Sequence, residues 1–353
     1  MDLEMLKTRA AIIQKIRSFF DDKGYLELDT PLLCADLIPE SCLEVFQTER
    51  LFPKRSRKES RLLYLIPSPE IWMKKIIAHH RVNVYQICKC FRNGESSGRL
   101  HSSEFTMLEY YTMDADYTDS LKLTEDLFDF LAAELHRERD ENFFCREEAQ
   151  RKTKEEKDKI CLYAPFERIT VADAFKKYAG FDLFEAAEKG TGAMAEKARE
   201  LGLDPMPEMT VPEIYDLIFI HSVEPNLKAE KPVVLFDYPA FVPCLAGVRD
   251  HGSEIGDRTV ERWELYYNGI ELANCFSEET DPQKVKEFFI NEEAEKERTA
   301  IVKHKVDHDY WKLFEQKEKQ GFPRCSGVAM GVDRLIMALT ERSSIDSVLM
   351  SNY

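Results

Sequence analysis

Between residues 3 and 23 apolar side chains recur at helical spacing: Leu6, Ile13, Ile16 and Phe20 fall on one face, and Gly24 follows as a stop. A short strand over 25–28 then runs into Thr30-Pro31. Ser68-Pro69-Glu70 reads as a helix start, with Ser as N-cap, Pro at the first helical position and Glu in the first turn. Residues 82–91 and 104–111 read as two strands joined by a polar, glycine-containing loop. A helix carrying Leu121, Leu127, Phe128, Leu131 and Leu135 follows. Residues 136–159 are dense in charge and predict a solvated helix or linker. Residues 165–230 read as a helical insertion, and strands resume at 232–236. Asn268-Gly269 between apolar runs predicts a tight hairpin, with Tyr267 opposite Ile270 and Tyr266 opposite Glu271. Gly327 and Gly331 flank a short apolar strand, and Arg334 falls in the first turn of the helix that continues it.

Composition narrows this frame little. With 353 residues and 44% apolar content the chain can bury a large core in one or two domains. No apolar run approaches 18 residues and the start lacks a secretory pattern, so neither a membrane span nor export is expected. Nine scattered cysteines without a Cys-x-x-Cys pair predict free thiols and a reducing cytoplasm, and Cys88 and Cys90 share one strand face. His304 and His308 have i,i+4 spacing but lack the glutamate of a zincin, so they read as surface histidines. Net charge changes the picture more. At −16 it weighs against nucleic acid as the main partner, because phosphate binding draws on a basic surface.

Three constellations carry candidate chemistry. Alternation along 104–111 puts Phe105, Met107, Glu109 and Tyr111 on one face. Either Glu109 points to solvent, or the face is a pocket floor with a ring for a base and a carboxylate for a cation. In the hairpin, Glu264 and Glu271 share a face as diagonal neighbours at roughly 7–8 Å. They are either separately solvated or bridged by a cation such as Mg²⁺ bound to phosphates. In 327–334 the glycines permit close backbone approach to a ligand, and Arg334 beside a helix N-terminus suits a polyphosphate.

These segments, in this order, resemble the class II aminoacyl-tRNA synthetases. Lys23 to Leu32 resembles motif 1, Phe91 to Tyr111 motif 2, and Gly327 to Arg334 with the following helix motif 3. Ser68-Pro69-Glu70 and the run from Gly269 to Glu278 are similar to the lysine-specific branch. The resemblance implies an α+β fold, a mostly antiparallel sheet flanked by helices, as one catalytic domain over 1–353. Motif 1 would occupy about 5–32, motif 2 about 84–111, the insertion about 136–230 and motif 3 about 325–341. An N-terminal anticodon-binding OB-fold is not expected, and motif 1 implies a homodimer.

The resemblance also implies roles. Arg92 would hold the ATP α-phosphate and the amino-acid carboxylate, with Arg334 on the γ-phosphate. Glu95 and His101 would contact adenine and phosphates, and Phe105 would stack on adenine. Glu264 and Glu271 would bind Mg²⁺. Glu70 and Asn274 would read the backbone amine, and Glu109, Tyr111 and Glu278 the side-chain ammonium. Ala329 stands where lysyl-tRNA synthetases usually have Gly, which resembles the stand-alone bacterial elongation factor P lysine ligases. The implied activity is ATP-dependent activation of lysine, or (R)-β-lysine, and transfer to a lysine of elongation factor P. A truncated lysyl-tRNA synthetase and a catalytically silent binding paralogue are the alternatives. The chain departs from the pattern in the lengthened Arg92-Asn93-Gly94-Glu95, in Cys275 for Gly, and in Ser103 for Pro. Alternation puts Asn274 and Glu278 on the face opposite Glu271, so one pocket requires a bulge near 273–275.

Overall fold

The computed structural model describes residues 3–52, 60–95, 98–140, 162–248, 259–315 and 321–350, with backbone alone for 136–140. Most of the charged segment 136–160 therefore falls outside the described residues. The fold is mixed α+β, with helices flanking mostly antiparallel strands, and the chain divides into two compact units. The first comprises Met1–Ala115 and Glu278–Tyr353, the second Asp116–Ser277.

In the first unit, strand β1 (Leu26–Glu27) runs parallel to β5 (Val84–Phe91). Strand β6 (Glu104–Met113) is antiparallel to β5 and to β11 (Cys325–Gly331). A separate small sheet joins β2 (Leu33–Cys34), β4 (Ser60–Leu65) and β3 (Gln47–Leu51) in that order. The helix Leu3–Asp22 ends where Gly24 takes a positive φ of 76°. Its buried stripe is Met5, Thr8, Ile12, Ile16, Phe19 and Phe20; Leu6 and Ile13 are only half-buried, so the packed face is rotated from the expected one.

The alternation of β5 and β6 then decides where a site can form. Tyr85 opposes Tyr110, and both lie against Phe20, with ring centroids 4.8 and 4.9 Å away. Burying each such ring contributes about 1.5–3 kcal/mol, so this face is the core. The next pair along, Gln86 opposite Glu109, must point to the other face. β6 is buried on both faces from Thr106 to Tyr111, so the solvent-facing reading of Glu109 is excluded.

The second unit contains β10 (Ile270–Ser277), β9 (Thr259–Tyr267) and β8 (Val233–Pro239), all antiparallel, with β7 (Glu167–Thr170) parallel to β8. Asn268 and Gly269 both have positive φ, 52° and 74°, as a two-residue hairpin requires. The register is the expected one, Tyr267 opposite Ile270 and Tyr266 opposite Glu271. The insertion is helical as expected over Val171–Ala174, Leu183–Glu188, Thr191–Glu200 and Val211–Ile218, the last opened by a Thr210–Glu213 capping box.

Two local expectations are corrected. His304 is buried, outside any helix, and burial depresses its imidazole to about 4; of this pair, His308 alone is exposed. The helix Glu70–His80 has Pro69, not Ser68, in the N-cap position, although the Ser68 hydroxyl accepts from the Glu70 N–H at 3.3 Å. No helix of the described residues is long and apolar enough to cross a membrane.

Candidate active site

The first unit holds Glu70, Glu109, Tyr111, Glu278 and Ala329 of the residues expected to bind the amino acid; Asn274 is in the second. Glu109 and Tyr111 are two apart on β6, and the Tyr111 hydroxyl donates to Glu109 Oε1 at 2.7 Å. Ala329 and Gly327 stand directly opposite them on β11. A Cβ at position 327 would lie 2.5 Å from Tyr111 Cε1 and 2.8 Å from Glu278 Oε1, so only glycine lets these groups close together. Glu278 begins the return of the chain into this unit, its N–H bonded to Cys325 O at 2.9 Å.

Lys74 is the residue that sequence reasoning missed. It is wholly buried, one helical turn past Glu70, and its Nζ reaches Glu70 Oε1 at 2.6 Å and Glu278 Oε2 at 2.5 Å. Burial alone would depress its ammonium, but Glu278 and Glu70 together hold it well above the ordinary lysine range. The i,i+4 spacing from Glu70 was the available signal. Burial pushes Glu278 up to about 8 even against Lys74, and burial plus Glu70 pushes Glu109 well above the carboxylate range. Glu278 Oε1 and Glu109 Oε2 are buried without a hydrogen-bond partner. Unpaired buried acceptors are costly, and three carboxylates around one lysine leave the cluster short of positive charge. A cationic ligand answers both deficits.

Arg92, Glu95, His101, Phe105 and Arg334, expected at the nucleotide, also lie in this unit. Burial depresses the half-buried His101, Arg334 adds to that, and Glu95 and Arg92 act on the same imidazole, so the four named groups are neighbours. The Arg92 guanidinium lies over the Phe105 ring at 5.3 Å, and its Nε is buried without a partner. Arg334 donates through Nε to Leu100 O at 3.2 Å. Its neighbour Asp333 accepts from Arg9 at 2.6 Å and from the Thr106 N–H at 2.7 Å, which clamps this helix to β6. Glu40, a second missed group, is pushed up to about 7 by burial and Glu70, with Arg92 opposing.

The second unit holds Glu264, Glu271 and Asn274. The expected bulge is present, between Glu271 and Ala273, so that Asn274 opposes Glu264 while Glu271 opposes Tyr266. All three consequently share one face. Arg262, unforeseen from sequence, donates to Glu264 Oε1 at 2.6 Å and to Asn274 Oδ1 at 3.1 Å. Tyr238 and Tyr266 donate their hydroxyls to Glu264 Oε2 at 2.5 and 2.6 Å. Both oxygens of Glu264 are thus engaged, and a guanidinium already supplies its countercharge. As arranged, Glu264 does not fit a resident Mg²⁺, and among the described residues no cluster of three or more His, Cys, Asp or Glu could hold a metal.

Residues 2–351 match the family model of class II tRNA synthetases (D, K and N). The chain belongs to this synthetase family. The chain is also similar to curated proteins named elongation factor P–(R)-β-lysine ligase. The protein from Avibacterium paragallinarum is 32% identical over 349 residues, 98% of this chain and 94% of that protein. The Haemophilus ducreyi protein is 31% identical, over 98% of this chain and 93% of its own length. For the Vibrio atlanticus protein the identity is 30%, over 98% and 94%. The segment expected as motif 3 folds as β11 with the helix Val332–Leu339, and that expected as motif 2 as the β5–β6 pair.

Proposed function

We propose that this synthetase-family chain activates lysine or (R)-β-lysine with ATP and transfers it to a lysine side chain of elongation factor P. The observation that carries the reading is the buried pair Glu109 and Glu278, each with one oxygen lacking a partner, beside the half-buried Glu70. It stands in a chain whose relatives, over nearly its whole length, are named as ligases of that kind.

MgATP enters as the substrate complex. A carboxylate oxygen of the amino acid attacks the α-phosphorus, the bond to the bridging oxygen breaks, and pyrophosphate leaves with the electron pair. Arg92 offsets the charge that grows on the α-phosphoryl oxygens, and its unpartnered Nε suits that task. Arg334 meets the terminal phosphate, with Glu95, His101 and Phe105 around adenine. Glu70 takes the backbone amine, while Glu109, Tyr111 and Glu278 take the side-chain ammonium. The family resemblance gives Glu264 and Glu271 to Mg²⁺; because Arg262 holds Glu264, no step is routed through that residue. The uncharged amine of the acceptor lysine then attacks the adenylate carbonyl, AMP leaves, the attacking nitrogen loses its proton, and an amide remains.

The net charge of −16 favours a protein acceptor with basic surroundings over tRNA. Exposed Leu26, Leu32, Leu33, Leu51, Phe52 and Leu62 around motif 1 and the small sheet support a homodimer, and the reaction belongs in the cytoplasm with its acceptor. Ala329, opposite Glu109, adds a methyl to this face and supports the β-lysine preference.

The test is the intact mass of elongation factor P after incubation with the protein, MgATP and each lysine isomer. A gain of one lysyl residue is expected, larger in yield with (R)-β-lysine. Arg92→Ala should slow lysine-dependent ATP–pyrophosphate exchange by about 100-fold or more. Labelled lysine in tRNA with none in elongation factor P would replace this reading with that of a truncated lysyl-tRNA synthetase.

A further inference from the structure

Gln86 has no role in the reading so far. It is 1% exposed, and neither its Oε1 nor its Nε2 has a hydrogen-bond partner. A buried carboxamide oxygen left without a donor is costly, so its presence asks for a partner that arrives later. Register places it directly across from Glu109, on the face that also carries Tyr111. The thiol pKa of Cys88, two residues along the same face, is lowered first by Cys90 and also by the Gln86 carboxamide, which can only donate to it; a thiol is a weak partner and leaves Gln86 Oε1 open.

Three buried acceptors are therefore open in one neighbourhood. They are Gln86 Oε1, Glu109 Oε2 and Glu278 Oε1. Cross-strand pairing ties Gln86 to Glu109, the 2.7 Å hydrogen bond ties Glu109 to Tyr111, and the close packing at Gly327 ties Tyr111 to Glu278 Oε1. An alkylammonium has three N–H donors and no acceptor. We infer that Gln86 is a further substrate-binding residue, the third acceptor for the side-chain ammonium of the amino acid. Glu109 and Glu278 supply charge, and Gln86 supplies a neutral oxygen that completes the ammonium's hydrogen bonding without adding a further negative group. The inference rests on the proposed function for the identity of the ligand.

The test uses the full chain with Gln86→Met, which keeps the shape and loses both polar atoms, and Gln86→Glu, which keeps an acceptor oxygen. Lysine binding is read by calorimetry without ATP, and lysine and ATP KM by pyrophosphate exchange. Gln86→Met should weaken lysine by about 10- to 100-fold, as loss of a hydrogen bond to a charged group does, and leave the ATP KM unchanged. It should also narrow the preference for lysine over norleucine. Gln86→Glu should bind lysine close to wild type. Wild-type lysine affinity in Gln86→Met would overturn the inference and leave the proposed function standing. Equal losses for lysine and ATP would overturn it in favour of a packing role. A wild type that binds lysine without exchange would overturn the proposed function, while the variants still decide Gln86 by calorimetry. Absence of lysine binding in the wild type would overturn both.

Discussion

Glu278 in the first unit and Glu264 in the second are both buried carboxylates, 6% and 8% exposed. Their surroundings differ. Glu264 has a guanidinium on one oxygen and two phenolic hydroxyls on the other. Glu278 gives one oxygen to Lys74 and leaves the other without a partner, and Glu109 beside it repeats the pattern. A saturated buried carboxylate is part of the architecture: its desolvation is offset inside the fold. An open one raises the free energy of the folded state, and a chain retains that cost where a ligand later removes it. The same residue type in two units thus serves two purposes, and the partner count tells them apart.

The sharpest way to break this contrast is to neutralise each carboxylate. Glu278→Gln should raise the lysine KM by about 10- to 1,000-fold, since a buried ammonium loses a charged acceptor. ATP KM should stay unchanged, and Lys74 keeps Glu70. Glu264→Gln should lower unfolding free energy by about 3 kcal/mol, because it strands Arg262 in a buried site, and denaturant titration reads this directly. If Glu278→Gln instead destabilised the fold and left lysine KM alone, the two carboxylates would be alike.

Glu109→Gln tests the same idea through pH. Its folded-state acidity is pushed well above the ordinary value by burial first and then by Glu70. Folding therefore takes up a proton at this site, and stability falls as pH rises above the unfolded carboxylate value of about 4.5. The Gln variant has no such proton to take up. Its stability advantage over wild type should grow between pH 5 and pH 8, and equal slopes across that range would contradict the assignment. The smallest effect concerns lysine itself. Glu278, pushed up to about 8, binds a cation in its ionised form. The lysine KM should fall as pH rises from 7 to 9 and level off above that, with no matching change for ATP.

Much of the fold was legible before the structure. The hairpin register follows from Asn268-Gly269, whose backbone demands fix the turn; a bulge follows from requiring Glu271, Asn274 and Glu278 in one pocket, though it falls between Glu271 and Ala273 and not at 273–275. The strands 84–91, 104–113 and 325–331 lie where the pattern puts them, and the insertion 165–230 is helical except for the strand Glu167–Thr170. The misses have a shared cause. Lys74, Gln86 and Arg262 are polar residues on elements whose sequence reads as ordinary amphipathic structure, and their importance lies in what faces them across the fold. Gln86 becomes informative only once β5 is registered against β6. His304 departs from the surface reading because its segment is irregular and not helical, so burial and not i,i+4 spacing governs the ring. Glu264 was correctly placed on a shared face, but the pairing with Arg262 two residues earlier on the same strand was not foreseen.

The central claim is that the open acceptors of the first unit receive the ammonium of a lysine side chain. ATP–pyrophosphate exchange with lysine and with norleucine, which has the same chain without the amino group, tests it most directly. A site built to hydrogen-bond a polar group rejects the analogue lacking it by several orders of magnitude, so exchange with norleucine should be at least about 1,000-fold poorer in kcat/KM. Comparable exchange with the two amino acids would contradict the account.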